Sequence, residues 1–114
     1  MRFHANYVSA CVDGDYYTAM FAEKNTDDDS PYLIIQRQFE DSEDEAYYIE
    51  THDREFSGHF LALRLEFTPE SLLVELNRPR GNLINVTFHI APSEFEKVSH
   101  VMKIISGEIE PEPE

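Results

Sequence analysis

Five carboxylates, Glu40, Asp41, Glu43, Asp44 and Glu45, occupy six consecutive positions, and the large aromatic side chains of Tyr47 and Tyr48 follow almost at once. A few residues on, Asp53 and Glu55 alternate with His52 and, further along, His59. Four kinds of chemistry fit such a stretch: a solvated loop, a metal cage, a catalytic carboxylate pair, or a surface that receives a basic partner. His52, Asp53, Glu55 and His59 are ligand types that zinc or iron accepts, but neither an HExxH spacing nor paired cysteines fixes their geometry. Asp27-Asp28-Asp29 lacks the alternating ligands, the glycine and the terminal glutamate of a calcium loop. Carboxylate pairs for acid–base work are uninformative in a chain with 23 acids. Ser57-Gly58-His59 sets a hydroxyl near an imidazole without the Gly-x-Ser-x-Gly elbow of a serine nucleophile, and turn formation accounts for it. The four glycines form neither a phosphate loop nor a dinucleotide fingerprint, and Arg78-Pro79-Arg80-Gly81 reads as a hairpin connection.

The interface reading has its own physical basis. Tyrosine buries a large area at small entropic cost, keeps a hydroxyl, and is enriched at interfaces. Carboxylates around such anchors steer a basic partner and turn away acidic ones. The expected contact set is Glu40, Asp41, Glu43, Asp44, Glu45, Tyr47, Tyr48, Asp53 and Glu55, with no catalytic residue, metal or cofactor. Strand alternation requires one of Tyr47 and Tyr48 to face inward. Two alternatives stay open: a small metal protein or enzyme using His52 and His59, and a homodimeric structural subunit.

Charge narrows the partner. The net charge is −14, and it is unevenly spread: residues 1–55 hold 14 acids and four bases, whereas residues 56–107 hold five of each. Such a field repels nucleic acid and anionic membranes and attracts cationic proteins, more weakly as salt rises. The single cysteine, Cys11, cannot form an internal disulfide and is expected to be a small core residue. Met1-Arg2 leads into a polar strand pattern rather than the apolar block of a secretory signal, and no apolar run nears the roughly 20 residues that span a membrane. A cytoplasmic location is expected.

The elements that position these residues are mostly short strands. Arg2–Val12 and Tyr16–Glu23 flank Asp13-Gly14, an expected type I′ hairpin. Tyr32–Phe39, Ala46–Thr51, Phe60–Phe67, Ser71–Leu76 and Leu83–Ile90 follow. In the fifth strand Leu61, Leu63, Leu65 and Phe67 share one face, and in the last Ile84, Val86, Phe88 and Ile90 do. A capping box at Ser93–Glu96 opens one helix with an apolar stripe of Phe95, Val98, Val101, Met102 and Ile105, and Gly107 closes it. The expected fold is α+β, mainly β: a curved, meander-like antiparallel sheet of six or seven strands with the C-terminal helix on the Leu61/Ile84 face. Residues 1–107 make one domain, and 108–114 an acidic disordered tail.

Between residues 33 and 76 the order of features carries a resemblance. Leu33-Ile34-Ile35-Gln36-Arg37 leads into the acidic loop, Tyr47-Tyr48-Ile49-Glu50 follows, then a turn with Ser57-Gly58 and a strand closing on Leu72-Leu73-Val74-Glu75-Leu76. This order resembles the immunity protein 10 family of bacterial polymorphic toxin systems, over roughly 40% of the chain. The resemblance implies a non-enzymatic protein that binds and neutralises a cognate toxin. Nuclease toxins are often cationic because they grip phosphates, and an acidic surface suits them.

Overall fold

Successive residues of a strand point to opposite faces, so an alternating segment buries one set of side chains and presents the other. The computed structural model describes residues 1–24, 30–39, 47–53, 56–78 and 80–110, and these contain nine strands and one helix. The strands are β1 (Arg2–Ala5), β2 (Tyr7–Asp13), β3 (Tyr16–Ala22), β4 (Tyr32–Gln38), β5 (Tyr47–Thr51), β6 (Gly58–Phe60), β7 (Ala62–Phe67), β8 (Ser71–Leu76) and β9 (Leu83–Phe88); helix α1 spans Pro92–Ser106. They form a four-stranded sheet in the order β1-β9-β8-β7 and a five-stranded sheet in the order β2-β3-β4-β5-β6. All neighbours are antiparallel except β1, which runs parallel to β9. The mainly β, α+β class is as expected.

Two sheets stand where one curved sheet was expected, and the cause is coverage. Seven strands at about 4.8 Å spacing make a surface about 30 Å wide, and one helix about 10–12 Å across shields only part of it. The chain instead folds its sheet onto itself, as sandwiches do when strands bend at corners. It changes sheets at Asn6, between β1 and β2, and at Leu61, between β6 and β7. At the first corner the Asn6 backbone N–H donates to the Ala22 carbonyl at 2.9 Å and its side-chain amide to the Glu23 carbonyl at 3.0 Å.

The facing sides meet in one buried cluster. Tyr17, Ala19 and Phe21 of β3, Leu33 and Ile35 of β4, and Ile49 of β5 share it with Leu72, Val74, Leu76, Ile84, Val86 and Phe88 of the other sheet. Helix α1 adds Val98, Val101, Met102, Ile104 and Ile105. The helix packs chiefly on β2 and β3 rather than on the Ile84/Val86/Phe88 face, which the five-stranded sheet already covers. Its contact with β7 includes Phe95 stacked on Phe67, with ring centroids 5.3 Å apart.

Local departures from expectation have local causes. The register slips between Ala62 and Arg64, a bulge that takes Leu61 out of phase with Leu65 and leaves it exposed. Asp13 pairs with Tyr16, so Gly14-Asp15 is the loop, and only Gly14 has positive φ, at 60°; this is the type II′ pattern with glycine first, not type I′. The helix begins at Pro92 after Ala91 with no side-chain cap, because proline's fixed φ and missing N–H suit the first turn. Ser93 therefore lies inside the helix, and the capping box does not form. Cys11 is exposed, since Val8 and Ala10 take the inward positions of β2. The helix ends as expected on Gly107, at φ 87°, with the Glu108 N–H reaching back to the Lys103 carbonyl at 2.9 Å.

Arg37, on the inward side of β4, ties that helix end to the sheet. Its Nη1 donates to the Ile105 carbonyl at 3.0 Å, and its guanidinium lies over the rings of Phe39 (4.8 Å) and Tyr47 (5.6 Å). A cation at the negative end of the helix dipole is favourable, and the two rings add cation–π attraction. Arg37→Met keeps most of the stem and deletes the charge, and should lower stability by about 1–3 kcal/mol in urea unfolding. An unchanged midpoint would show that α1 docks through apolar contacts alone.

Candidate functional site

The outward side of the five-stranded sheet collects an unusual set of residues, and the ladder places them in rows. Tyr7, Ala22 and Tyr32 stand opposite one another; so do Ser9, Met20, Ile34 and Glu50; then Cys11, Thr18, Gln36, Tyr48 and His59; and last Asp13, Tyr16 and Gln38. Four of the six tyrosines lie on this face, while Tyr17 and Tyr47 point into the core. Tyr7 is 49% exposed, Tyr16 42% and Met20 37%, which leaves large apolar area open to solvent. Large exposed side chains gathered on one side of a sheet are a feature of interaction surfaces. None of the outward strand positions of β2 to β6 is Lys or Arg. The outer side of the other sheet is conventional by contrast: Arg64 lies 3.9 Å from Glu66 and 3.7 Å from Glu75, and His4 shares a 2.9 Å hydrogen bond with Thr87.

Toward one edge of the face, on β5 beside Ile34 of β4, sits Glu50. Its two carboxylate oxygens accept one phenol each: Tyr48 donates to Oε1 at 2.9 Å and Tyr32 to Oε2 at 3.2 Å. Both phenol pKa values are raised above the ordinary 10.0. For Tyr32 burial is the main cause, followed by the Glu50 charge and the hydrogen bond; for Tyr48 the hydrogen bond to Glu50 comes first. Histidines back the two rings. His59 packs on Tyr48 at 5.3 Å between centroids, and His52 on Tyr32 at 6.2 Å. The His52 Nδ1 also accepts the Tyr32 backbone N–H at 3.2 Å, while its ring meets Phe3 edge-on at 6.1 Å.

The residues singled out from the sequence are only partly assembled here. Tyr48 lies on the face, and Glu50, missed earlier, lies beside it. Tyr47 does not: its ring is buried under Arg37, because alternation lets only one of an adjacent pair face out. Asp53 sits in the turn after β5, where its backbone exchanges hydrogen bonds with the Thr51 hydroxyl at 2.7 and 3.0 Å. Glu40, Asp41, Glu43, Asp44, Glu45 and Glu55 lie outside the described residues. Tyr7, Tyr16, Tyr32, Met20 and Ile34 were also missed. The signal was available, since on β2, β3 and β4 the residues next to core positions, and every second residue from those, make up this face.

Other chemistries find less support. His59 stands opposite Tyr48, and His52 lies four residues further along that strand, so the two imidazoles are on the order of 13 Å apart. Among the described residues no three of His, Cys, Asp and Glu converge as metal ligands. The Ser57 hydroxyl accepts the Thr51 N–H at 3.0 Å and lies 3.3 Å from the Thr51 and Asp53 carbonyls, all of which hold the turn together. A groove between α1 and β7, lined by Phe67, Met102 and Lys103 among others, has a volume of about 50 Å³; small-molecule pockets are roughly 300–1,000 Å³. No helix among the described residues is long and apolar enough to cross a membrane. No protein-family model matches the chain, and no curated protein matches it in sequence.

The phenols bind their protons more tightly folded than unfolded, so their contribution to stability is complete below about pH 10 and fades as pH rises through the folded values. In a spectrophotometric titration two tyrosines should ionise above the ordinary range, and Glu50→Gln should bring both down. Titration unaffected by Glu50→Gln would contradict the shared carboxylate.

Proposed function

We propose that this chain is a non-enzymatic immunity protein that neutralises a cationic protein toxin by binding it on the outer face of the five-stranded sheet. The observation that carries the reading is the open tyrosine face without a lysine or arginine at its strand positions. Rigid aromatic side chains with polar tips are the anchors most often found at interface hot spots. The acidic segment Glu40–Glu45 joins β4 to β5 in sequence, so its charge is tethered to strands of that same sheet. Its role is steering: it speeds the encounter with a basic surface, as the net charge of −14 does over longer range. A basic, nucleic-acid-cleaving toxin suits this surface, whereas nucleic acid itself and anionic membranes do not. The same apolar area would also fit a second copy of the chain, but two copies of charge −14 repel each other.

Co-expression provides the test. The product of the gene adjoining this one should arrest growth when expressed alone, and this chain should relieve the arrest. A harmless neighbour, or arrest that persists, overturns the reading. Within the complex, Tyr16→Ala combined with Tyr48→Ala should weaken binding by about 100-fold or more. Replacing Glu43, Asp44 and Glu45 with lysine should slow association and flatten its salt dependence, read by stopped-flow mixing.

A further inference from the structure

Glu50 carries a feature that general acidity does not explain. Its carboxylate stands half-buried on β5, and its partners among the described residues are two neutral phenols rather than a cation. A carboxylate offers about four lone-pair sites over two oxygens. With one phenol on each oxygen, an acceptor site remains on each. A planar guanidinium presents two parallel N–H groups at the spacing that fits such a pair, and charge-assisted bonds of this kind are about twice as strong as neutral ones. An ammonium, being a point charge, gains no such second bond.

The rings complete the fit. Tyr32 and Tyr48 reach the carboxylate from two sides, from the neighbouring strand and from two residues earlier on β5. Each is held in place twice, by its hydrogen bond to Glu50 and by a histidine ring behind it. Aromatic faces attract a planar cation over them, most of all where water is excluded. Held rings lose little further freedom on binding, so more of the interaction survives as affinity. We propose that Glu50, clasped by Tyr32 and Tyr48, is the seat of one arginine side chain of the protein partner. The proposal rests on the reading of this face as the surface for a basic protein, and it names the side chain recognised and the residue that recognises it.

Hexa-arginine and hexa-lysine peptides serve as probes, titrated into the full chain at low salt and followed by backbone amide shifts in NMR. Hexa-arginine should bind several-fold more tightly than hexa-lysine, with shifts centred on Tyr32, Tyr48 and Glu50. Glu50→Gln should weaken hexa-arginine binding by about tenfold while leaving the spectrum as well dispersed as before. Tyr48→Phe, which keeps the ring and frees one carboxylate oxygen, should lose less than Glu50→Gln. Equal affinity for the two peptides, or hexa-arginine binding indifferent to Glu50→Gln, overturns the arginine seat and leaves the basic-partner reading standing. Failure of both peptides to bind the unaltered chain at low salt overturns both.

Discussion

Everything on the tyrosine face depends on the pleat of a single sheet. Adjacent residues in a strand cannot both be buried on one side, so the pairs Tyr16-Tyr17 and Tyr47-Tyr48 are divided between core and solvent. The inward members are structural: Tyr17 packs edge-on against Phe39 at 5.4 Å, and Tyr47 lies beneath Arg37. Their outward neighbours inherit fixed positions from that burial. Fully burying side chains such as Phe21, Leu33, Ile35 and Ile49 stabilises the fold by about 1.5–3 kcal/mol each. That same burial is what keeps Tyr32, Tyr48 and Glu50 in register on the opposite side.

The two sheets then divide the work. The outer side of β1-β9-β8-β7 balances its charges within itself, with Arg2 and Arg64 against Glu66 and Glu75, the latter two near Arg64. The outer side of β2 to β6 has Asp13 and Glu50 as its acids, with no lysine or arginine at its strand positions to offset them. Fields of exposed charges fade over about 8 Å at physiological salt, so a partner senses mainly the side it approaches. Helix α1 serves this division from behind. It supports β2 and β3 from within, with Arg37 at its C-terminal end, and leaves the outer face uncovered.

Much of this architecture can be read from residues alone, and the failures share a cause. The strand Ser71–Leu76 falls where its alternation puts it, and Gly107 ends the helix where a left-handed residue is needed. Both are local decisions. The break at Asn6 is not, because residues on either side of it favour extended backbone equally, and only the need to cover the far sheet bends the chain there. The parallel pairing of β1 with β9 joins positions more than 80 residues apart, and no local pattern announces it. The bulge at Leu63 disguises itself as perfect alternation. In the candidate site, the acidic run drew notice by its density, although the described part of the face is built from dispersed residues brought together by register. Glu50 stood within the quoted Tyr-Tyr-Ile-Glu run, but its two phenol partners come from different strands, and that meeting needs the ladder of β4 on β5.

Hydroxyl-radical footprinting of the chain, alone and mixed with the cationic partner proposed for it, bears most directly on that proposal. Tyr7, Tyr16, Met20 and Tyr48 should become protected in the complex, while Leu83, exposed on the outer side of the other sheet, should react as before. Protection of Leu83 and the outer side of β8 and β9, with the tyrosines still reactive, would contradict the account.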